Sequence, residues 1–164
     1  MKKQKTFINT SKLEISRFLA TFLYVGYFPK APGTFASIFA AVLIFIFPNI
    51  SILWQAILII LLLLIGKFSS AYLEKELNIE DPQYIVIDEV LGMCIAVFAL
   101  PRMLSVIIIG FVLFRIFDIW KPWIIDEIQS VKNGWGVMLD DLIAGVFALA
   151  INYLIHKIYF LFFI

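Results

Sequence analysis

The chain has 164 residues, of which 63% are hydrophobic and 15% are charged. Soluble domains are about half apolar and about a quarter charged, so this composition argues against an ordinary water-soluble protein. It also excludes intrinsic disorder, which requires low hydrophobicity. The net charge of +1 offers no argument for nucleic-acid binding, and we expect no nucleic-acid partner. We therefore expect one integral membrane domain over residues 1–164.

The N-terminal segment carries much of the positive charge. Six of the thirteen basic residues precede the first long apolar run, and they are Lys2, Lys3, Lys5, Lys12, Arg17 and Lys30. By the positive-inside rule, this segment lies on the cytoplasmic side of the membrane. Ser11 and Glu14 form a capping-box pattern, which predicts the start of a helix. Apolar and basic positions are mixed after that point, so we expect an interfacial helix on the cytoplasmic surface.

Long uninterrupted apolar runs follow, and they favour helices over the alternating strands of a membrane barrel. Residues 31–66 contain no charge, and Pro48-Asn49 in their middle predicts the turn of a helical hairpin. The polar segments 67–89 and 115–141 are expected on the cytoplasmic face. We expect an all-α fold, a polytopic integral membrane helical bundle with about four to five membrane helices plus the N-terminal interfacial helix. The expected membrane segments are approximately 34–47, 52–68, 90–100, 103–114 and 142–164.

The first polar motif is Pro32-Gly33-Thr34, which follows Lys30 and precedes the hairpin. Pro-Gly is typical of a turn, and Thr34 is placed to cap the next helix. The free N–H groups of a helix N-terminus suit a phosphate group, so Lys30 and Thr34 are candidate substrate-binding residues. A plain turn followed by an N-cap is the alternative interpretation.

The second polar motif contains Asp88 and Glu89, which lie where the chain becomes apolar. Pro82 fits the first turn of a helix capped by Asp81, and both carboxylates would then lie two turns into that helix. Adjacent carboxylates at a hydrophobic boundary are costly unless positive charge lies beside them. Because ionisable residues at membrane depth suggest function, we expect a functional role. An ion pair with a basic residue of the third motif, serving only packing, is the alternative.

The third polar motif begins with Arg115, Asp118 and Lys121, which are spaced three residues apart and share one helical face. A proline follows and is expected to end that helix. Asp140 and Asp141 come after a glycine-containing turn and are expected to open the last helix, where the helix dipole stabilises carboxylates. Capping needs only one aspartate, so the pair suggests a further role.

These motifs are expected to meet at the cytoplasmic membrane surface. Carboxylates brought close together repel one another unless a divalent cation neutralises them. Oxygen ligands without histidine or cysteine favour Mg²⁺ over zinc. Arg115 and Lys121 beside them suit an anionic group such as phosphate. Mg²⁺ next to basic residues is typical of phosphoryl transfer or phosphate-ester hydrolysis, and the membrane location favours a lipid phosphate.

The motifs together resemble the phosphatidylglycerophosphatase A family of bacterial membrane enzymes. The resemblance implies an all-helical enzyme of the bacterial cytoplasmic membrane that hydrolyses phosphatidylglycerophosphate to phosphatidylglycerol and phosphate with Mg²⁺. Two positions depart from the family pattern, because Ile124 stands where a proline is usual and Asn133 where a glycine is usual. The matching stretches, in family order, are Pro32-Gly33-Thr34, Ile85-Val86-Ile87-Asp88-Glu89 with Gly92, Phe114-Arg115-Ile116-Phe117-Asp118-Ile119-Trp120-Lys121-Pro122-Trp123, and Gly134-Trp135-Gly136-Val137-Met138-Leu139-Asp140-Asp141 with Ala144-Gly145.

The resulting hypothesis gives these residues roles in a phosphatase. Asp118, or a carboxylate released from the metal, orients or deprotonates the attacking water. The residues expected to hold Mg²⁺, directly or through water, are Asp88, Glu89, Asp140 and Asp141. The residues expected to bind the substrate are Thr34, Arg115, Lys121 and Lys30. The candidate catalytic residues are Asp88, Glu89, Asp118, Lys121, Asp140 and Asp141.

Other functions stay open at this point. A membrane cation transporter is one, because carboxylates in membrane proteins often line ion paths, although the expected spans carry almost no charge. A metal-dependent lipid phosphotransferase is another, although the Asp-Gly-x-x-Ala-Arg signature of that class is absent from the sequence. A lipid-binding scaffold without activity is a third. The sequence also leaves open the oligomeric state and whether an aspartyl phosphate forms.

Overall fold

Six α-helices and one short 3₁₀-helix make up the described part of the chain. The structure, a computed structural model, describes residues 2–47, 49–79, 82–121 and 134–163, with side chains from Thr10 to Phe162. No strand occurs in these ranges, so the all-α prediction is confirmed. The helices are α1 (Lys2–Ala20), α2 (Pro32–Ile46), α3 (Ile52–Leu77), α4 (Ile87–Ala96), α5 (Leu104–Trp120) and α6 (Trp135–Phe163), and the 3₁₀-helix is Val25–Tyr27.

Two of these helices are long and apolar enough to cross a membrane, namely α3 and α6. They have 26 and 29 residues, and at about 1.5 Å per residue both exceed the hydrocarbon core of about 30 Å. Only 11% of the most apolar stretch of α3 is buried, so most of its side chains there are at least partly exposed. α2, α4 and α5 have 15, 10 and 17 residues, which is shorter than the roughly 20 that a full span needs. The expected four to five spans are therefore not confirmed.

α4 lies at the centre of the bundle and packs most extensively against α6, with α2, α3 and α5 around it. The contact with α6 is close because small residues face each other there. A Cβ atom added to Gly145 would lie 2.7 Å from the carbonyl oxygen of Gly92. The buried ring of Phe114 from α5 also packs against Gly92. These contacts hold the first turn of α4, which carries Asp88 and Glu89, against its neighbours.

The N-terminus of α2 differs from the sequence prediction. The helix begins at Pro32, and proline is favoured at a first helical position because its missing N–H would be unpaired there anyway. Ala31 is the N-cap residue, with a left-handed φ of 50° and no side-chain cap. Thr34 lies within the first turn, so the prediction that it caps the helix is wrong.

The start of α4 also differs from the prediction. The helix begins at Ile87, because residues 82–86 form a turn in which the Ile85 N–H donates to the Pro82 carbonyl oxygen at 2.9 Å. Pro82 therefore precedes the helix, and the expected cap, Asp81, lies outside the described residues. The two carboxylates of this motif lie in the first turn of α4 rather than two turns in, so that part of the prediction is wrong.

Helices α1 and α3 are longer than the sequence patterns predict. α1 begins at Lys2, so Ser11 and Glu14 lie in its interior and the predicted capping box is wrong. Glu14 instead pairs with Arg17 one turn later, with 3.1 Å between Oε1 and Nη1. α3 continues past Lys67 into the polar segment and ends at Leu77. The second arm of the hairpin therefore does not stop where the charged residues begin.

The third polar motif is also arranged differently from the prediction. Lys121 is the C-cap residue that follows α5, with a left-handed φ of 40°. It therefore does not continue the helical face that carries Arg115 and Asp118. α6 begins directly after Gly134, whose φ of +71° permits a sharp turn that other residues rarely adopt. Asp140 and Asp141 therefore lie in the second turn of α6, and the prediction that they open this helix is wrong.

Candidate active site

Helix ends and the turn before α4 surround a cavity of about 380 Å³. Its walls come from the N-terminus of α2, the turn before α4, the first turn of α4, the C-terminal end of α5 and the second turn of α6. Every residue that the sequence singled out for the site lines this cavity except Lys30. The polar and charged lining residues are Thr34, Gln83, Asp88, Glu89, Arg115, Asp118, Lys121, Asp140 and Asp141.

Three carboxylates of the cavity lie close enough to share one ion. Asp88, Glu89 and Asp141 each offer one oxygen atom, and these three atoms lie within 4.8 Å of one another. We call these residues the three-carboxylate cluster. Asp88 is 9% exposed and Asp141 is 3% exposed. α4 supplies two members from a single turn, and the close approach of α6 at Gly92 and Gly145 brings the third alongside them.

Burial makes the negative charge of this cluster unfavourable in the absence of a cation. It raises the pKa of Asp88 well above its usual value, and the neighbouring carboxylates of Glu89, Asp141 and Asp140 raise it further. Burial likewise raises the pKa of Glu89. In the part of the chain that the structure describes, the buried Oε2 atom of Glu89 has no hydrogen-bond partner. Oxygen donors alone, one of them unpartnered, fit a hard divalent cation.

Lys121 and Asp140, which also line the cavity, form an ion pair. The Lys121 Nζ donates to the Asp140 Oδ2 at 2.9 Å, and the Asp140 Oδ1 accepts from the backbone N–H of Asp141 at 2.9 Å. Burial by itself lowers the pKa of Lys121, but the hydrogen bond to Asp140 and the surrounding carboxylates raise the pKa above its usual value. The charge of Asp140 is therefore paired with a lysine side chain of the protein, and Asp140 lies outside the three-carboxylate cluster.

A second ion pair joins Arg115 to Asp118, one turn later on α5. The Arg115 Nη1 lies 2.5 Å from the Asp118 Oδ2, and the two side chains are 16% and 14% exposed. The buried Nε of Arg115 has no hydrogen-bond partner among the described residues. Over the same residues, no ion pair links Asp88 or Glu89 to Arg115 or to the lysine described above. The interpretation of those two carboxylates as a packing ion pair therefore finds no support.

The N-terminus of α2 completes the cavity directly beside Glu89. The first intrahelical bond runs from the Phe35 N–H to the Ala31 carbonyl oxygen at 3.1 Å, so the N–H groups of Gly33 and Thr34 come before the ladder begins. A Cβ atom on Gly33 would lie 1.9 Å from the Glu89 Oε1, so only glycine permits this approach. Free N–H groups and the helix dipole together favour an anion at this end of α2.

One predicted site residue lies outside the cavity lining, and one lining residue was not predicted. Lys30 is exposed and does not line the cavity, although the next residue, Ala31, does. Gln83 lines the cavity, but the sequence argument did not assign it to the site. Its only signal is its position in the turn before the two carboxylates of α4, and a single glutamine in a turn is too common to be noticed.

Comparison with known proteins decides the family. Residues 18–156 match the family described as phosphatidylglycerophosphatase A. The chain belongs to this family. The match includes every segment that lines the cavity, and it confirms the resemblance that the motifs predict. It also confirms the prediction of a phosphatase.

Curated relatives agree with this assignment. The chain is 37% identical over 134 residues to a phosphatidylglycerophosphatase A of Escherichia coli, covering 79% of this chain and 77% of the relative. It is 32% identical over 136 residues to a phosphatidylglycerophosphatase A of Haemophilus influenzae, covering 80% and 82%. It is 38% identical over 131 residues to a putative phosphatidylinositol-3-phosphatase of Bacteroides thetaiotaomicron, covering 75% and 82%. No solved structure matches the chain.

Proposed function

We propose that this protein is a Mg²⁺-dependent phosphatase that removes the terminal phosphate of phosphatidylglycerophosphate and leaves phosphatidylglycerol. The observation that carries the proposal is the three-carboxylate cluster, which lies buried beside two basic side chains and a helix N-terminus in one cavity. Membership of the phosphatidylglycerophosphatase A family supports the lipid substrate. A cation transporter and a phosphotransferase find no comparable support, because the matched family is one of phosphatases.

The three-carboxylate cluster would hold the metal. Asp88, Glu89 and Asp141 offer three converging oxygen atoms, whereas both oxygens of Asp140 already accept hydrogen bonds. We therefore assign Asp88, Glu89 and Asp141 as direct ligands, and we assign Asp140 the positioning of Lys121. When bound, Mg²⁺ supplies positive charge that polarises a phosphate oxygen and balances the charge that develops during hydrolysis.

The basic side chains and the start of α2 would bind the terminal phosphate. Arg115 and Lys121 line the same cavity as the cluster, and basic side chains are suited to an anionic phosphate. The N–H groups of Gly33 and Thr34 add neutral donors on the α2 side. An anion between these groups would contact donors from two helix ends, which fixes the orientation of its phosphorus atom. Lys30 precedes the lining residue Ala31 in the sequence but does not itself line the cavity, so we assign it no direct contact with the phosphate.

Asp118 is our candidate for the group that accepts the proton of the attacking water. It lines the cavity, and its charge acts on Glu89 in the first turn of α4. The ion pair with Arg115 holds its carboxylate in place. The water oxygen forms the new bond to phosphorus, the P–O bond to the lipid alcohol breaks, and the leaving alkoxide takes up the proton that Asp118 accepted, which restores the carboxylate. A chirally labelled terminal phosphate distinguishes this route, which inverts the configuration at phosphorus, from an aspartyl phosphate, whose two successive displacements would retain it.

We propose further that the protein is a multi-pass protein of the bacterial cytoplasmic membrane with its active site on the cytoplasmic face. α3 and α6 would cross the bilayer fully. α2, α4 and α5 would complete four to five membrane segments, with local thinning of the bilayer around these shorter helices. The basic residues Lys12, Arg17 and Lys30, which precede the first long apolar run in the sequence, support the cytoplasmic orientation.

Phosphate release from phosphatidylglycerophosphate in detergent micelles, with Mg²⁺ or with a chelator, tests the proposed function. We expect release that requires Mg²⁺ and that is lost in Asp141→Asn. Glu14→Gln is the matched control, because it neutralises an exposed carboxylate whose only described ion pair is with Arg17 on the surface of α1. Equal release from wild type with and without Mg²⁺, or normal Mg²⁺-dependent release from Asp141→Asn, would contradict the assigned site.

A further inference from the structure

Gln83 is the neutral amide among the charged groups that line the cavity, and no role has yet been given to it. We propose that Gln83 binds a hydroxyl group of the substrate headgroup, beside the phosphate that is removed. The protein would then select phosphate monoesters of polyols over phosphatidic acid. This inference rests on the proposed function and extends it from the reaction to the choice of substrate.

The position of Gln83 is suited to contact the headgroup rather than the phosphate. It lines the same cavity as the three-carboxylate cluster but comes from the turn before α4 and not from a helix. Its side chain is exposed, and among the described residues no hydrogen bond engages its amide. An amide both donates and accepts, as a hydroxyl does, whereas the charged groups around it bind ions. The amide is therefore available to a polar, uncharged part of the substrate.

The turn that carries Gln83 is held by several contacts to the end of α1 and to the 3₁₀-helix that follows it. The backbone N–H of Val86 donates to the carbonyl oxygen of Ala20 at the end of α1, at 2.9 Å. The ring of Tyr84 stacks on the ring of Tyr27, with 5.5 Å between centroids. A Cβ atom on Gly26 would lie 2.0 Å from the Tyr84 carbonyl oxygen, so the turn packs directly on the 3₁₀-helix. A residue on so rigid a support has a defined place relative to the carboxylates, which selective binding requires.

The chemistry of the candidate lipids makes a hydroxyl the discriminating group. In phosphatidylglycerophosphate the carbon next to the one that bears the terminal phosphate carries a free hydroxyl. In phosphatidylinositol 3-phosphate both neighbouring ring carbons do. In phosphatidic acid that neighbouring oxygen is acylated and has no proton to donate. The relatives of this chain are named for the first two headgroups, so the shared feature is a polyol phosphate.

The test compares kcat/KM for these three lipids in mixed micelles with Mg²⁺. Gln83→Met keeps the length of the side chain and removes its hydrogen bonds, and Gln83→Ala removes both. We expect either substitution to lower kcat/KM for the two polyol phosphates about tenfold, a small loss for a hydrogen bond because water replaces the amide at this exposed site. Activity on phosphatidic acid should stay unchanged, so the preference for polyol phosphates falls by the same factor.

Tyr84→Phe is the matched control, because Tyr84 belongs to the same turn but does not line the cavity, and phenylalanine keeps the ring that stacks on Tyr27. We expect its substrate preference to equal that of wild type. An equal loss on all three lipids in the Gln83 variants, or no loss at all, would overturn this inference alone. A wild-type protein that releases phosphate from none of the three lipids would overturn the proposed function as well.

Discussion

The carboxylates of the cavity form two groups, here called its two sides, which differ in how their negative charge is compensated. On one side Asp118 and Asp140 each have a basic partner of the protein itself, at 2.5 Å and 2.9 Å. On the other side Asp88, Glu89 and Asp141 converge with no such partner among the described residues. The first arrangement is electrically complete, whereas the second is complete only with a cation from solution. A buried group of carboxylates without a cation lowers the stability of the fold. This difference therefore indicates that the reaction takes place at the three-carboxylate cluster.

The largest expected effect comes from removing one carboxylate on each side. Asp88→Asn should lower kcat about a thousandfold, because it removes a metal ligand in contact with the reaction. Asp140→Asn should lower kcat only about 10- to 100-fold, because it acts through Lys121. Phosphate release under saturating Mg²⁺ measures both. Equal losses, or a larger loss in Asp140→Asn, would mean that the two sides do not differ as described.

The second prediction concerns the stability of the metal-free protein as pH changes. The pKa of Asp88 is raised in the folded protein from its ordinary value of 3.8, so the folded state keeps this proton to higher pH than the unfolded chain does. Stability in chelator should therefore fall as pH rises from 3.8 through the raised pKa, by at most about 1.4 kcal/mol per pH unit for this group.

Thermal unfolding in detergent at several pH values, with chelator or with Mg²⁺, measures this effect. Mg²⁺ should stabilise the protein more at high pH, because it binds the three-carboxylate cluster when the cluster is ionised and does not bind it when it is protonated. Asp88→Asn is the control, since it cannot titrate at this position and should flatten the dependence. A wild-type protein whose stability in chelator rises over the same range would show that this carboxylate is already compensated.

The smallest expected effect tests the complete side of the cavity. Lys121→Met should destabilise the protein, because the buried Asp140 loses its cation, and Asp140→Asn in the same chain should restore part of the loss. A double-mutant cycle on the free energy of unfolding should give a coupling of about 1–2 kcal/mol. A coupling near zero would mean that the ion pair contributes nothing to the fold, and that the two sides differ less than their geometry indicates.

The residues of the site could be found from sequence because charge is rare in this chain. Charged residues make up only 15% of the chain. Two acidic pairs at the start of apolar runs, Asp88-Glu89 and Asp140-Asp141, are therefore recognisable from the sequence alone. Their oxygen chemistry, the basic residues near them and the family resemblance follow from the same local patterns. The all-helical architecture is equally local, since long apolar runs without alternation satisfy their backbone hydrogen bonds within one segment.

Helix ends and the division of the carboxylates depend on contacts between distant segments. Thr34 and Asp141 look like caps in sequence, but Pro32 and the turn at Gly134 start their helices earlier. Whether an aspartate pairs with a lysine or joins a metal-ready cluster depends on packing, because Asp140 and Asp141 are neighbours in the chain and yet face different partners. The close contact of α4 with α6 determines which aspartate joins the cluster, and no local sequence pattern predicts that contact.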